Sequence, residues 1–133
     1  MTSRITYSLQ RSGNLLFLRA SLRGPDSSMT RVRLLIDTGA AYTTLPISFL
    51  EEIGYEVNDV NRRIPIMTAS AVGRAPVIQI SEFNCLGKSM IDFPVVALNL
   101  PFSPLMSGLL GMDFLSQVGA TIDIKKAEIT MQT

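Results

Sequence analysis

The chain has 133 residues, with 12 Lys and Arg against 11 Asp and Glu for a net charge of +1, and 47% of it is hydrophobic. That is enough for one domain with a real core and too little for two; the balanced charge gives no nucleic-acid surface, and no apolar run approaches the ~20 residues of a membrane helix. There is no histidine, which excludes Ser–His and Cys–His catalysis and the commonest metal ligand, and the single cysteine, Cys85, excludes an internal disulfide. Hydrolytic chemistry, if present, falls to carboxylates, and no cofactor is implied. The apolar surplus suits a buried subunit interface. Residues 1–10 are polar and lack a signal-peptide core, so a cytoplasmic protein is expected.

Taken in order, residues 5–11 read as a strand ended by the turn signal Ser12-Gly13-Asn14. Residues 15–22 alternate loosely as a second strand, and Gly24-Pro25-Asp26-Ser27-Ser28 is a hairpin loop. Residues 30–36 form the next strand, with Arg31 and Arg33 on one face and Val32, Leu34 and Ile36 on the other. Residues 46–53 read as a short helix opened by Pro46 and closed by Gly54. Residues 55–63 are polar and irregular. Residues 64–68 and 77–83 are expected to be strands joined by a hairpin tip at 69–74, and 84–88 turn the chain. Residues 90–100 form a strand broken or edged at Pro94, followed by a loop over 101–107. A short strand at Leu109-Leu110, a helix over 112–118 ended by Gly119, and a hairpin of 120–124 with 127–131 complete the chain. Many short strands with two short helices predict a mostly β, barrel-like domain spanning residues 1–133. Each half repeats an apolar strand, a glycine turn and a helix that ends in glycine (Gly54, Gly119), which reads as two related lobes without a linker.

The chain is organised around Leu34-Leu35-Ile36-Asp37-Thr38-Gly39-Ala40. An apolar strand runs straight into Asp37, and a carboxylate there costs several kcal/mol unless hydrogen bonds or a proton compensate it. Gly39 lets the backbone turn sharply, and the Thr38 hydroxyl can bond nearby backbone. A second stretch, Ser107-Gly108-Leu109-Leu110-Gly111-Met112-Asp113-Phe114-Leu115, repeats the pattern of apolar pair, glycine and nearby acid. Acid-catalysed peptide hydrolysis needs two carboxyls at one site, one ionised to activate water and one protonated to polarise the carbonyl. Asp113 is the internal candidate for the second.

Asp37-Thr38-Gly39-Ala40, the exit Tyr42-Thr43-Thr44-Leu45-Pro46, and Leu109-Leu110-Gly111-Met112-Asp113-Phe114-Leu115 together resemble a retropepsin-like aspartic protease, over about residues 13–131, and more narrowly its prokaryotic single-domain members. The resemblance implies a closed acid-protease barrel with one lobe per chain. It makes Asp37, Thr38 and Gly39 the catalytic motif and assigns Asp113 to a helix start. Asp37 of a second copy then supplies the other carboxyl, so a functional homodimer is expected, with Thr38 bonding across the twofold axis. It also makes residues 64–80 a flap that closes over an extended polypeptide substrate. Substrate contacts are expected from Ala40, Ala41, Tyr42 and Thr44 below, and from Ala69, Ser70, Ala71, Val72 and Gly73 above. These are small or apolar, which favours apolar residues beside the cut. The chain departs from the retroviral pattern, which places an acid after Asp-Thr-Gly-Ala and an arginine after the second glycine. Ala41 and Met112 stand there, so the dimer must be held otherwise. The rival reading is a protease-like peptide-binding or dimerisation module in which hydrolysis is slow or absent. Cys85 is expected to pack as an inert apolar group.

Overall fold

The computed structural model describes residues 3–58, 61–67, 72–99 and 108–132. The alternation seen in sequence sets the first large hairpin. β3 (Leu15–Arg23) and β4 (Met29–Ile36) pair antiparallel from Phe17↔Leu35 to Arg23↔Met29. Leu18, Ala20, Leu22, Val32 and Leu34 turn into the core, and Arg19 and Arg31 stay exposed. The loop between them is held by Asp26, whose Oδ1 accepts from Ser28 N at 3.0 Å and Ser28 Oγ at 2.6 Å. Those Ser28 bonds keep the Asp26 carboxyl below its ordinary pKa.

The expected first strand is split. β1 (Arg4–Ser8) and β2 (Gln10–Ser12) join different sheets, because Leu9 between them turns inward and donates its N–H to Ala127 O at 2.8 Å. β2 pairs with β3. β1 pairs with β11 (Glu128–Gln132), which also pairs with β10 (Thr121–Asp123), making a three-stranded sheet.

β5 (Thr44–Pro46) and α1 (Ile47–Glu52) follow the Asp37 turn; Pro46 is the N-cap of α1, so the helix starts one place later than the sequence suggests. β6 (Arg63–Met67) and β7 (Val72–Cys85) form the expected hairpin, and β7 begins five residues earlier than Val77. β8 (Lys88–Leu98) returns through the turn Leu86-Gly87, both at positive φ. β8 runs unbroken through Pro94, because β5 covers it only from Val96 to Leu98 and leaves the Pro94 edge open. β9 (Gly108–Leu110) and α2 (Met112–Gln117) lead to β10.

The larger sheet runs β2-β3-β4-β9-β5-β8-β7-β6, and β3 also pairs with β7, so β3, β4, β9, β5, β8 and β7 form a closed ring. This is the barrel-like body expected from the short strands. The two halves interleave within it: β9 lies between β4 and β5, and β5 between β9 and β8. The core gathers on Phe83, Phe93 and Phe114, with Phe83 stacked on Phe93 at 4.8 Å and Phe114 edge-on to both at 5.9 and 6.4 Å. Phe114 thereby anchors α2 to β7 and β8. Among the described residues no helix is long and apolar enough to cross a membrane.

Candidate active site

β4 delivers Asp37. It runs parallel to β9 with Ile36 opposite Leu110, and Asp37 N–H donates to Leu110 O at 3.0 Å. The chain then reverses: Ala40 N–H donates to Asp37 O at 3.1 Å, and Gly39 N–H donates to the Asp37 carboxyl at Oδ1 (2.9 Å). A side chain at Gly39 would put its Cβ 3.2 Å from that oxygen, so glycine keeps the approach open. Asp37 is half-buried, Thr38 and Gly39 are exposed, and the second Asp37 oxygen meets no donor among the described residues.

The stretch after the turn is clamped to the second motif. Ala40 O accepts from Met112 N at 2.8 Å and Ala41 O from Asp113 N at 3.1 Å. Asp113 answers with its carboxylate: Oδ2 accepts from Thr43 N (2.9 Å), and Oδ1 accepts from Thr43 Oγ1 and Phe114 N (both 2.8 Å). Thr43 Oγ1 in turn accepts from Gly111 N at 3.2 Å, and Thr43 is fully buried. Gly111 has no substitute in this packing, since a Cβ there would lie 2.5 Å from the Tyr42 carbonyl carbon. Of the two acids considered for the chemistry, Asp113 therefore has both oxygens bonded within the clamp, and Asp37 keeps one oxygen without a donor among the described residues.

The other expected site residues divide. Ala40, Ala41 and Tyr42 follow the turn, Ala41 and Tyr42 exposed and Ala40 half-buried. Thr44 does not line an open surface: it is buried, and its hydroxyl donates to Tyr42 O at 3.0 Å. Val72 and Gly73, expected at the hairpin tip, lie within β7, where they pair with Met67 and Ile66. Ala69, Ser70 and Ala71, and the loop 101–107, lie outside the described residues. From Arg63↔Pro76 to Met67↔Val72 the hairpin is two-stranded, and β7 joins β8 only from Val77 onward, so it projects from the ring.

Sequence reading missed the apolar surround. A cavity of about 390 Å³ opens beside Asp37 and Thr38 and is lined by Leu15, Leu35, Ile36, Ile122 and Ile124, among others. A second, of about 210 Å³, lies between Thr38, Ile122 and Met112. Leu15 (46%), Met112 (40%) and Ile124 (67%) are exposed on this surface. The signal was present only as the alternation of residues 120–124, with nothing to place them beside residue 37.

Residues 28–117 match the family described as gag-polyprotein putative aspartyl protease. The chain belongs to that family. The match spans both motifs, Asp37 to Gly39 and Gly108 to Phe114. Among solved structures the chain is similar to a retropepsin-like aspartic protease from Rickettsia conorii, at 20% identity and a TM-score of 0.68 over 99% of this chain and 92% of that one. It is also similar to the retroviral protease-like domain of Ddi1 from Leishmania major, at 19% identity and a TM-score of 0.57 over 90% of each. The fold of this aspartyl-protease family member is thus retropepsin-like. No curated protein matches it.

Proposed function

We propose that the chain is an aspartic endopeptidase, a single domain over residues 1–133 that works as a symmetric homodimer with Asp37 of each copy at one site. The observation that carries this reading is the half-free Asp37 carboxyl, held on a turn that Leu110, Gly111 and Asp113 clamp from behind. One carboxyl cannot both take a proton from water and give one to the scissile carbonyl. Among the described residues Asp37 is the only acid lining either cavity around the turn, and Asp113 is occupied by Thr43 and Phe114. A twofold axis beside Asp37 supplies the partner with no new residue type.

In this dimer two Asp37 carboxyls face each other and share one proton, since like charges at close range do not both ionise. The ionised member activates water, and the protonated one polarises the peptide carbonyl. Thr38 holds the paired turns in place, and Gly39 leaves room for the extended substrate backbone. The β6–β7 hairpin closes from above and excludes water. Ala40, Ala41 and Tyr42 contact the substrate from below. The apolar surface of Leu15, Met112, Ile122 and Ile124 supports burial of this face against a second copy.

The test is incubation with a diverse peptide pool at several pH values, with wild type and Asp37→Asn side by side. Cleavage by wild type, about 10²–10⁴-fold slower in the variant, is expected. Peptide binding without cleavage by either protein would replace the enzyme with a peptide-binding module of the same fold.

A further inference from the structure

The outward face of β3 and β4 carries four arginines that the proposed function does not use; one, Arg23, is paired with Glu82, and three, Arg19, Arg31 and Arg33, are not. Arg19 stands directly opposite Arg33, and Arg31 stands opposite Ser21. Side chains opposite one another in a ladder share a face, and like charges placed so repel. Two of these guanidinium groups are solvent-exposed, and none of the three is bonded to a carboxylate; among the described residues the ion pair is Arg23 with Glu82, at 3.4 Å. Glu82 is committed there and to Asn84, whose Nδ2 donates to it at 2.9 Å; the Asn84 bond, then Arg23, hold its carboxyl below the ordinary range.

The third arginine is fixed and still unsatisfied. The Arg33 guanidinium lies over the buried Phe17 ring, 4.2 Å from its centroid, and its Nε is buried with no hydrogen-bond partner. Two adjoining hollows share Arg19 and Arg31. One, of about 210 Å³, adds Ser21 and Asn84; the other, of about 220 Å³, adds Val32 and Arg33. Among the described residues no Asp or Glu lines either. The result is a pair of hollows rich in donors, with fork-shaped cations and no internal counter-charge. Planar guanidinium forks match the oxygen spacing of phosphate-type anions.

We propose that this face is an oxyanion site for a phosphate group, gripped by Arg19 and Arg31, with Arg33 as its fixed wall and Ser21 and Asn84 as neutral donors. The group is either free phosphate or a phosphoryl group on a polypeptide. Binding relieves the repulsion between Arg19 and Arg33, so the anion stabilises the strand pair as well as occupying the hollows.

Calorimetric titration tests this with inorganic phosphate, a phosphoserine peptide and the same peptide unphosphorylated, all at fixed ionic strength. Wild type is expected to bind phosphate saturably, one per chain, and any binding of the unphosphorylated peptide at the Asp37 site is expected to be the same in wild type and in the arginine double variant. Arg19→Gln with Arg31→Gln is expected to weaken phosphate at least tenfold. Lys125→Gln with Lys126→Gln, the same change of charge elsewhere, is expected to leave it within twofold. A phosphopeptide that binds tenfold tighter than free phosphate assigns the site to a modified polypeptide, and equal affinity assigns it to the free anion. In melting experiments the arginine double variant should start above wild type without phosphate and gain nothing from its addition. If the double variant does not fold, Arg31→Gln alone is read by the same titration, with at least a threefold loss expected. Absence of saturable binding to wild type, or equal binding by the arginine and lysine variants, overturns the proposal.

Discussion

Asp37 and Asp113 begin alike and end differently. Asp37 comes one residue after an apolar strand and Asp113 three residues after another, each near a glycine, and the two strands run parallel in one sheet. Yet Asp113 accepts three hydrogen bonds, two from Thr43 and one from Phe114, whereas Asp37 accepts one, from Gly39. A carboxylate bonded on both oxygens is a strut; one that keeps an oxygen without a donor among the described residues can meet a ligand, as the proposed function requires of Asp37. The difference shows that a repeated motif can be divided in labour by hydrogen bonding alone. One copy presents the acid and the other immobilises the loop that carries it.

The sharpest way to break the comparison is to remove each charge in turn. Asp37→Asn keeps the Gly39 bond, since an amide oxygen accepts it equally, and removes the acid. Peptide cleavage is expected to fall by about 10²–10⁴-fold, the usual worth of a positioned acid–base group. Chemical denaturation should move by less than ~0.5 kcal/mol.

Cys85 extends the contrast to an acid governed by burial alone. Desolvation pushes its thiol from 9.0 up to about 12. A thiol three pH units harder to ionise is about a thousandfold poorer in thiolate near pH 8, so alkylation of the native protein should be slower than that of unfolded protein by roughly that factor. The sign for stability follows. The native state holds its proton more tightly than the unfolded state, so this contribution is intact below pH 9 and is lost as pH rises toward 12, by roughly 1.4 kcal/mol per pH unit. Equal alkylation rates for native and unfolded protein would remove burial as the cause.

Asp113→Ala strands the Thr43 and Phe114 donors and is expected to cost ~2–4 kcal/mol by denaturant titration. Asp113→Asn keeps Oδ1 for Thr43 Oγ1 and Phe114 N but turns an amide toward Thr43 N–H, costing ~1–2 kcal/mol. Cleavage per folded molecule should persist in Asp113→Asn. If instead that variant kills hydrolysis and Asp37→Asn spares it, the roles of the two acids are reversed. The smallest effect sharpens the comparison at the glycines. Gly111→Ala meets the Tyr42 carbonyl carbon at 2.5 Å and should cost ~1–3 kcal/mol or more, whereas Gly39→Ala meets only Asp37 Oδ1 at 3.2 Å and should cost less than ~1 kcal/mol in stability.

Much of this was legible in the chain because the signals were local. Alternation gave β3 and β4, Gly54 and Gly119 ended the two helices, and the approach of an apolar strand to Asp37 marked the turn. What stayed hidden depended on partners distant in sequence. The clamp joins Thr43 to Asp113 across 70 residues, and no spacing rule reaches so far. The split at Leu9 follows from its bond to Ala127. β7 reaches back to Val72 because β6 pairs with it from Arg63↔Pro76 to Met67↔Val72. The resemblance made Thr44 a substrate contact; it is buried, with its hydroxyl donating to Tyr42 O. The apolar surround of Asp37 needed the fold, since Leu15, Met112 and Ile124 meet there from three parts of the chain.

The central claim is that one active site takes Asp37 from two copies of the chain. Mixing tests it most directly: wild type and Asp37→Asn are combined at constant total protein, allowed to exchange subunits, and assayed for peptide cleavage. If every site needs two Asp37 carboxyls, activity falls as the square of the wild-type fraction, to one quarter in an equal mixture. A linear fall, to one half, would mean that each chain works alone and would contradict the shared site.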